Sequence, residues 1–262
     1  MRNPKKNKTS FFIKGFTQSA FFTVISRISG FVRDIFIAGF LGAGIFSDIF
    51  LIAFKIPNLL RRITAEGALT SAFLPIYSKL KEQNGEVLSF IYFKKVFFTV
   101  VISLFILMII FQFIMPFIIH FLAPGFMNNE DVIKKITTLS RITIIFMPLI
   151  SIVAMLGVAT NVSGKFWILA FTPTILNSSI ILGCFFINDY WTIKSLPLAF
   201  AAVIGGIIQI LFVIIMIKKF EIFNYKNLEN KSEYKKENKK IKFHIIKTWK
   251  KFLPAAFGGG IL

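Results

Sequence analysis

From Val96 to Ile119, and again from Ser195 to Ile217, the chain carries no charged side chain. Each stretch exceeds the roughly 20 apolar residues that cross a hydrocarbon core about 30 Å thick. Within lipid every backbone N–H and C=O must be satisfied by the protein itself, which leaves helices and closed barrels as the spanning structures. These runs are apolar throughout and do not alternate, so they read as helices. The fold class that follows is an all-α integral membrane protein.

Hydrophobic stretches long enough to cross a membrane put the segments at 11–40, 46–79, 91–121, 137–161, 166–188 and 195–218. A seventh is expected to begin near Lys247. The chain therefore divides into a basic N-terminus over 1–10, a six-helix lobe over 11–218, a charged linker over 219–246 and the start of a further helix over 247–262. Lysine and arginine before the first segment, around 79–95 and over 218–251 fall on one side of the membrane, and the positive-inside rule makes that side cytoplasmic. The opposite connections carry Glu130, Asp131 and Asp189.

Hydrophobic residues make up 55% of the 262 and include 34 Phe, with a mean hydropathy of +0.73. That is above the roughly 45–50% of soluble domains. The net charge of +19 sits in the connections and the N-terminus, where topology explains it, so no nucleic-acid partner is expected. Cys184 is alone, which leaves no disulfide framework within the chain. His120 and His244 form no Cys/His cluster at ligand spacing, so neither a metal site nor another cofactor is expected. No glycine-rich phosphate loop of the Walker type is present.

Against this apolar background the first two segments are unusual. Between Ser26 and Glu66 they hold Arg27, Arg33, Asp34, Asp48, Lys55, Arg61, Arg62 and Glu66. One such charge at the centre of a membrane helix costs about 2.5–3.5 kcal/mol on insertion scales, so a set of them is expected to line a wet cavity. Arg27, Gly30 and Asp34 recur at i, i+3 and i+7 and share a stripe, with Arg33 about a quarter turn from Asp34. Asp48, Lys55, Arg62 and Glu66 approximate one face of the second segment, with Asn58 beside it. Gly30 admits a close neighbour, and Pro57 removes a backbone donor and favours a kink. Several arginines favour a phosphorylated anion, because guanidinium offers a planar fork of donors. The plainer reading is that Arg27 or Arg33 pairs with Asp48 or Glu66 and glues helices together.

The run 26–34 (SRISGFVRD), then 40–44 (FLGAG), Asp48 and 54–67 (FKIPNLLRRITAEG) resembles the MurJ/MviN family. The likeness continues in 72–75 (AFLP), 123–126 (APGF), 173–177 (PTILN) and Gly205, Gly206 and Gln209. That resemblance implies the N-terminal lobe of a transporter of the multidrug and lipid-linked oligosaccharide exporter superfamily, a MATE-like fold in the bacterial inner membrane. It implies that the cargo is lipid II, the undecaprenyl-diphosphate-linked disaccharide-pentapeptide of cell-wall synthesis, flipped between leaflets by alternating access with no bond broken. Arg27, Arg33, Arg61 and Arg62 are then the cavity cations, and Asp34, Asp48, Asn58 and Glu66 their polar support. Gly30 and Pro57 are the hinge positions. The family's second lobe has no counterpart in these residues, so a fragment or one half of a split protein is expected, with a separately encoded lobe as a partner beside membrane lipids. Three rivals share the composition: an exporter of another lipid-linked sugar or drug, a non-transporting membrane scaffold, and a prenyl-diphosphate enzyme. The last would want clustered carboxylates for Mg²⁺, whereas Asp34, Asp48 and Glu66 are scattered among arginines.

Overall fold

The structure, a computed structural model, describes residues 4–61, 69–223, 241 and 244–250. Among the described residues, seven α-helices follow one another over 4–219, α1 (Pro4–Leu41), α2 (Ile45–Arg61), α3 (Leu69–Leu122), α4 (Glu130–Thr143), α5 (Phe146–Val162), α6 (Phe166–Cys184) and α7 (Leu196–Lys219), and residues 244–250 are helical as well. A 3₁₀ turn, Pro124–Phe126, precedes α4. Among the described residues there is no strand.

Four helical stretches of the described residues are long and apolar enough to cross a membrane: Ser71–Leu122, Glu130–Val162, Phe166–Cys184 and Leu196–Lys219. The two helices that carry the charged set are not among them. At 17 residues α2 is short, and polar side chains interrupt the apolar surface of the 38-residue α1. Two expected boundaries also move. The segment placed at 46–79 holds both α2 and the start of α3, with 62–68 outside the described residues. The segment placed at 137–161 begins earlier, at Glu130, and is two helices separated at 144–145. Asn129 fixes that earlier start, its side chain accepting from the Val132 amide at 3.3 Å while Glu130 and Asp131 occupy the electropositive first turn.

Gly85 divides α3. Its φ of 83° and ψ of −178° lie where essentially only glycine is tolerated. The chain therefore bends between an arm at 69–84 and a long arm at 86–122 without a loop. Of the most apolar window of the long arm only 11% is buried, against 72% for the α4–α5 window. The long arm of α3 thus leaves many of its phenylalanines and isoleucines exposed, while α4–α5 is the centre of the lobe. Ile136, Leu139, Ile144, Phe146 and Met147 are all fully buried there.

Around that centre α1 packs against α6, α6 against α7, α7 against α5, α2 against α4, and α3 against α4 and α5. Small residues set the α6–α7 approach. A Cβ placed on Gly183 would lie 2.6 Å from the Ala201 Cβ, and one on Gly205 would lie 3.0 Å from the Ser179 Cβ. Close approach of this kind is how membrane helices gain contact energy when lipid removes the hydrophobic drive.

Pro57, Pro75, Pro116 and Pro173 sit inside helices, where a proline frees the carbonyl four residues earlier, and at three of them a side chain donates to that carbonyl. Thr143 Oγ1 donates to Ala53 O at 2.8 Å beneath Pro57. Arg141 Nε donates to Gln112 O at 3.2 Å beneath Pro116. Thr172 Oγ1 donates to Leu169 O at 2.9 Å beneath Pro173. With these carbonyls satisfied, α2 stays helical through Pro57, and α1 through Gly30.

Candidate functional site

Between α1 and α2 lies a cavity of about 400 Å³, lined by Arg33, Asp34, Ile37, Phe50, Leu51, Phe54, Lys55, Asn58, Leu59 and Ile180. Arg33, Asp34, Lys55 and Asn58 give it two positive groups, one negative group and an amide. Its remaining walls are apolar.

Arg33 is held on both edges. Its Nε and Nη2 donate to Asp34 Oδ1 at 2.9 and 2.7 Å, and its Nη1 donates to Asn177 Oδ1 on α6 at 2.9 Å. Adjacent helix positions point about 100° apart, so the sequence separated these two side chains. The long guanidinium stem folds back across the helix surface and brings them together. The Arg33 side chain is 25% exposed and that of Asp34 63%, so the pair sits at the cavity wall and is not sealed inside. Arginine has five N–H donors, and the three in these bonds leave two for a further acceptor.

Asn177 is the site residue that the sequence reading did not mark. It is 5% exposed and its Nδ2 donates to Ser29 Oγ at 2.9 Å and Ser26 O at 3.2 Å. Ser29 in turn donates to Ser26 O. One amide therefore locks α6 to the first helix and presents its oxygen to Arg33. A Cβ on Gly30 would sit 3.5 Å from that amide nitrogen, so the neighbour that Gly30 admits is Asn177. The available signal was an Asn within the apolar stretch Phe166–Cys184, since a buried amide without partners costs roughly 1–3 kcal/mol.

The other expected site residues scatter. Arg27 is exposed on α1 and does not line the cavity. Asp48 is exposed in the first turn of α2, where the helix dipole favours a carboxylate, and it too lies off the cavity wall. The pairing of Arg33 with Asp48 gives way to its pairing with Asp34. Arg61 ends α2, and its side chain lies outside the described residues, as do Arg62 and Glu66 entirely. Among the described residues no group of His, Cys, Asp and Glu is placed to hold a metal ion.

A family sequence model described as "Lipid II flippase MurJ" matches residues 37–262. The chain belongs to the MurJ family. It is 36% identical over 190 residues to the "Probable lipid II flippase MurJ" of Buchnera aphidicola subsp. Acyrthosiphon pisum, covering 72% of this chain and 37% of that protein. It is 32% identical over 248 residues to its counterpart in Buchnera aphidicola subsp. Schizaphis graminum, covering 94% of this chain and 46% of that one. The second match reaches across Arg27 and Arg33, which precede the residues matched by the family model. A solved structure titled "Lipid II flippase MurJ, inward closed conformation" superposes with a TM-score of 0.62 at 25% identity, over 90% of this chain and 46% of its own. The chain thus spans less than half the length of the MurJ relatives it matches. Apolar helices and family membership together make it a multi-pass membrane protein.

Proposed function

We propose that this chain is the N-terminal lobe of a flippase that moves lipid II from the cytoplasmic to the outer leaflet of the bacterial inner membrane. The observation that carries the reading is the Arg33 guanidinium, held by Asp34 and Asn177 at the wall of the cavity between α1 and α2 with donors to spare. A diphosphate brings the negative charge and acceptor oxygens that such a fork binds. Lys55 adds a second cation and Asn58 an amide, while the polyprenyl tail stays in lipid. Arg27, Arg61 and Arg62 are assigned to the same path as further diphosphate-binding cations, with Asp48 and Glu66 as their polar support.

In this reading 11–218 is the six-segment lobe, 219–246 a cytoplasmic linker and 247–262 the start of the next lobe. The N-terminus is cytoplasmic. Alternating access requires a second lobe to rock against this one, so a second lobe is a required partner. The cycle breaks no bond, and we assign the chain no catalytic residue.

The test is complementation of bacteria depleted of their own lipid II flippase. The chain is produced alone and together with the C-terminal half of a full-length relative, at matched membrane abundance. Rescue that requires the second half and is lost with Arg33→Ala supports the reading. Full rescue by Arg33→Ala would refute the role of the cavity.

A further inference from the structure

Away from the Arg33 cavity, a second cavity of about 280 Å³ opens between the first arm of α3 and the helical residues 244–250. We propose that Lys79, His244 and Lys247 form an anion site there that takes a phosphate group. The proposal is independent of the flippase reading.

One wall comes from two adjacent stripes of the arm at 69–84. Pro75, Lys79 and Gln83 recur at i, i+4 and i+8, and Ile76, Leu80 and Asn84 repeat the spacing one residue on. The opposite wall is His244 and Lys247, three residues apart and so on one face of their own helix. That helix is fastened to α3 by a buried hydrogen bond between the hydroxyls of Tyr92 and Thr248, and Thr248 also donates to His244 O. Two lysines, a histidine and two amide residues thus line one space from two tethered elements. Among the described residues no carboxylate lines it.

Three lysines elsewhere are paired with acids. Lys134, Lys135 and Lys194 each lie within 3.7 Å of a carboxylate, whereas among the described residues neither Lys79 nor Lys247 makes such a pair. Burial and the nearness of Lys247 and Lys79 hold His244 below its ordinary pKa of 6.5, which places all three basic groups in one field. An anion placed there meets the positive charge of both lysines. Lysine offers a point charge with three rotatable donors, and imidazole and amide N–H groups add directed bonds, a set suited to tetrahedral phosphate oxygens. The apolar edge of Pro75, Ile76 and Leu80 leaves room for the group esterified to it. A phospholipid headgroup and a free phosphate share this chemistry.

The experiment is native mass spectrometry of the full 262-residue chain, delipidated in detergent and titrated with phosphatidylglycerol, with and without competing inorganic phosphate. Lys79 and Lys247 are exposed, so Lys79→Gln/Lys247→Gln keeps the fold, checked by helical circular dichroism. The double variant is expected to lose at least five-fold in apparent affinity. The equally charge-reducing Lys94→Gln/Lys95→Gln, outside the cavity, is expected to retain binding, as is Lys79→Arg/Lys247→Arg. Displacement of lipid by inorganic phosphate identifies the soluble anion as a ligand, and retention of lipid identifies the headgroup. Equal binding by wild type and Lys79→Gln/Lys247→Gln, equal losses in both Gln pairs, or binding of neither probe would overturn the site.

Discussion

The Thr143 hydroxyl on α4 donates at 2.8 Å to the carbonyl of Ala53 on α2, the group that Pro57 leaves without its helical partner. Both residues are buried. The bond ties the cavity helix to the centre of the lobe and lets a proline sit in α2 without leaving a bare carbonyl in the protein interior.

Thr143→Val keeps the shape and removes the donor. It should destabilise the lobe by about 1–3 kcal/mol, the cost of an unsatisfied buried carbonyl. In a Pro57→Ala background the substituted residue regains a backbone N–H that can reach the Ala53 carbonyl, and the same change should cost much less. Denaturation in detergent across the double-mutant cycle measures the coupling, and equal losses in both backgrounds would remove the link between Pro57 and Thr143.

Asn177→Leu strips Arg33 of its second support and cuts the tie to Ser29 and Ser26. We expect lipid-linked diphosphate binding to fall about as far as with Arg33→Ala. Ser29→Ala, which leaves the Asn177 oxygen in place, should have a smaller effect. Titration of purified variants with lipid II gives the order, and binding by Asn177→Leu at the wild-type level would show that Arg33 needs no positioning.

At the α6–α7 contact, Gly183→Val forces side-chain atoms into the space of Ala201, whose Cβ already lies 2.6 Å from the position of an added Cβ. Overpacking of this kind costs about 1–3 kcal/mol. The thermal midpoint in detergent should fall, and Gly39→Ala, where nothing lies within 4 Å, should change it far less.

His244 is held below 6.5 by burial and by Lys247 on its own helix and Lys79 on α3. A depressed folded-state pKa means the unfolded segment takes up a proton first. Stability contributed by neutral His244 is therefore complete above pH 6.5 and lost as pH falls through the lower folded value. Hydrogen exchange over 244–250 should speed up on acidification, after correction for intrinsic rates, and His244→Gln should flatten that response.

The apolar runs over 96–119 and 195–217 were legible as helices because nothing else satisfies a backbone in lipid, and the charges of the first two segments were legible as a polar set. Their pairing was not. Helical spacing separates Arg33 from Asp34, and only the reach of the arginine stem joins them, while the second anchor comes from Asn177, 144 positions along the chain. The expected span 137–161 missed its start and its middle because hydropathy is blind to the Asn129 cap and to the break at 144–145. The single-residue bend at Gly85 is likewise a matter of φ and ψ that composition does not encode.

The central claim is that Arg33 receives the diphosphate of a lipid-linked substrate. Native mass spectrometry of the purified chain with lipid II, comparing wild type, Arg33→Ala and Lys79→Gln/Lys247→Gln, tests it most directly. The account predicts a lipid II adduct that Arg33→Ala weakens at least ten-fold and that the lysine pair leaves in place. Undiminished binding by Arg33→Ala would contradict it.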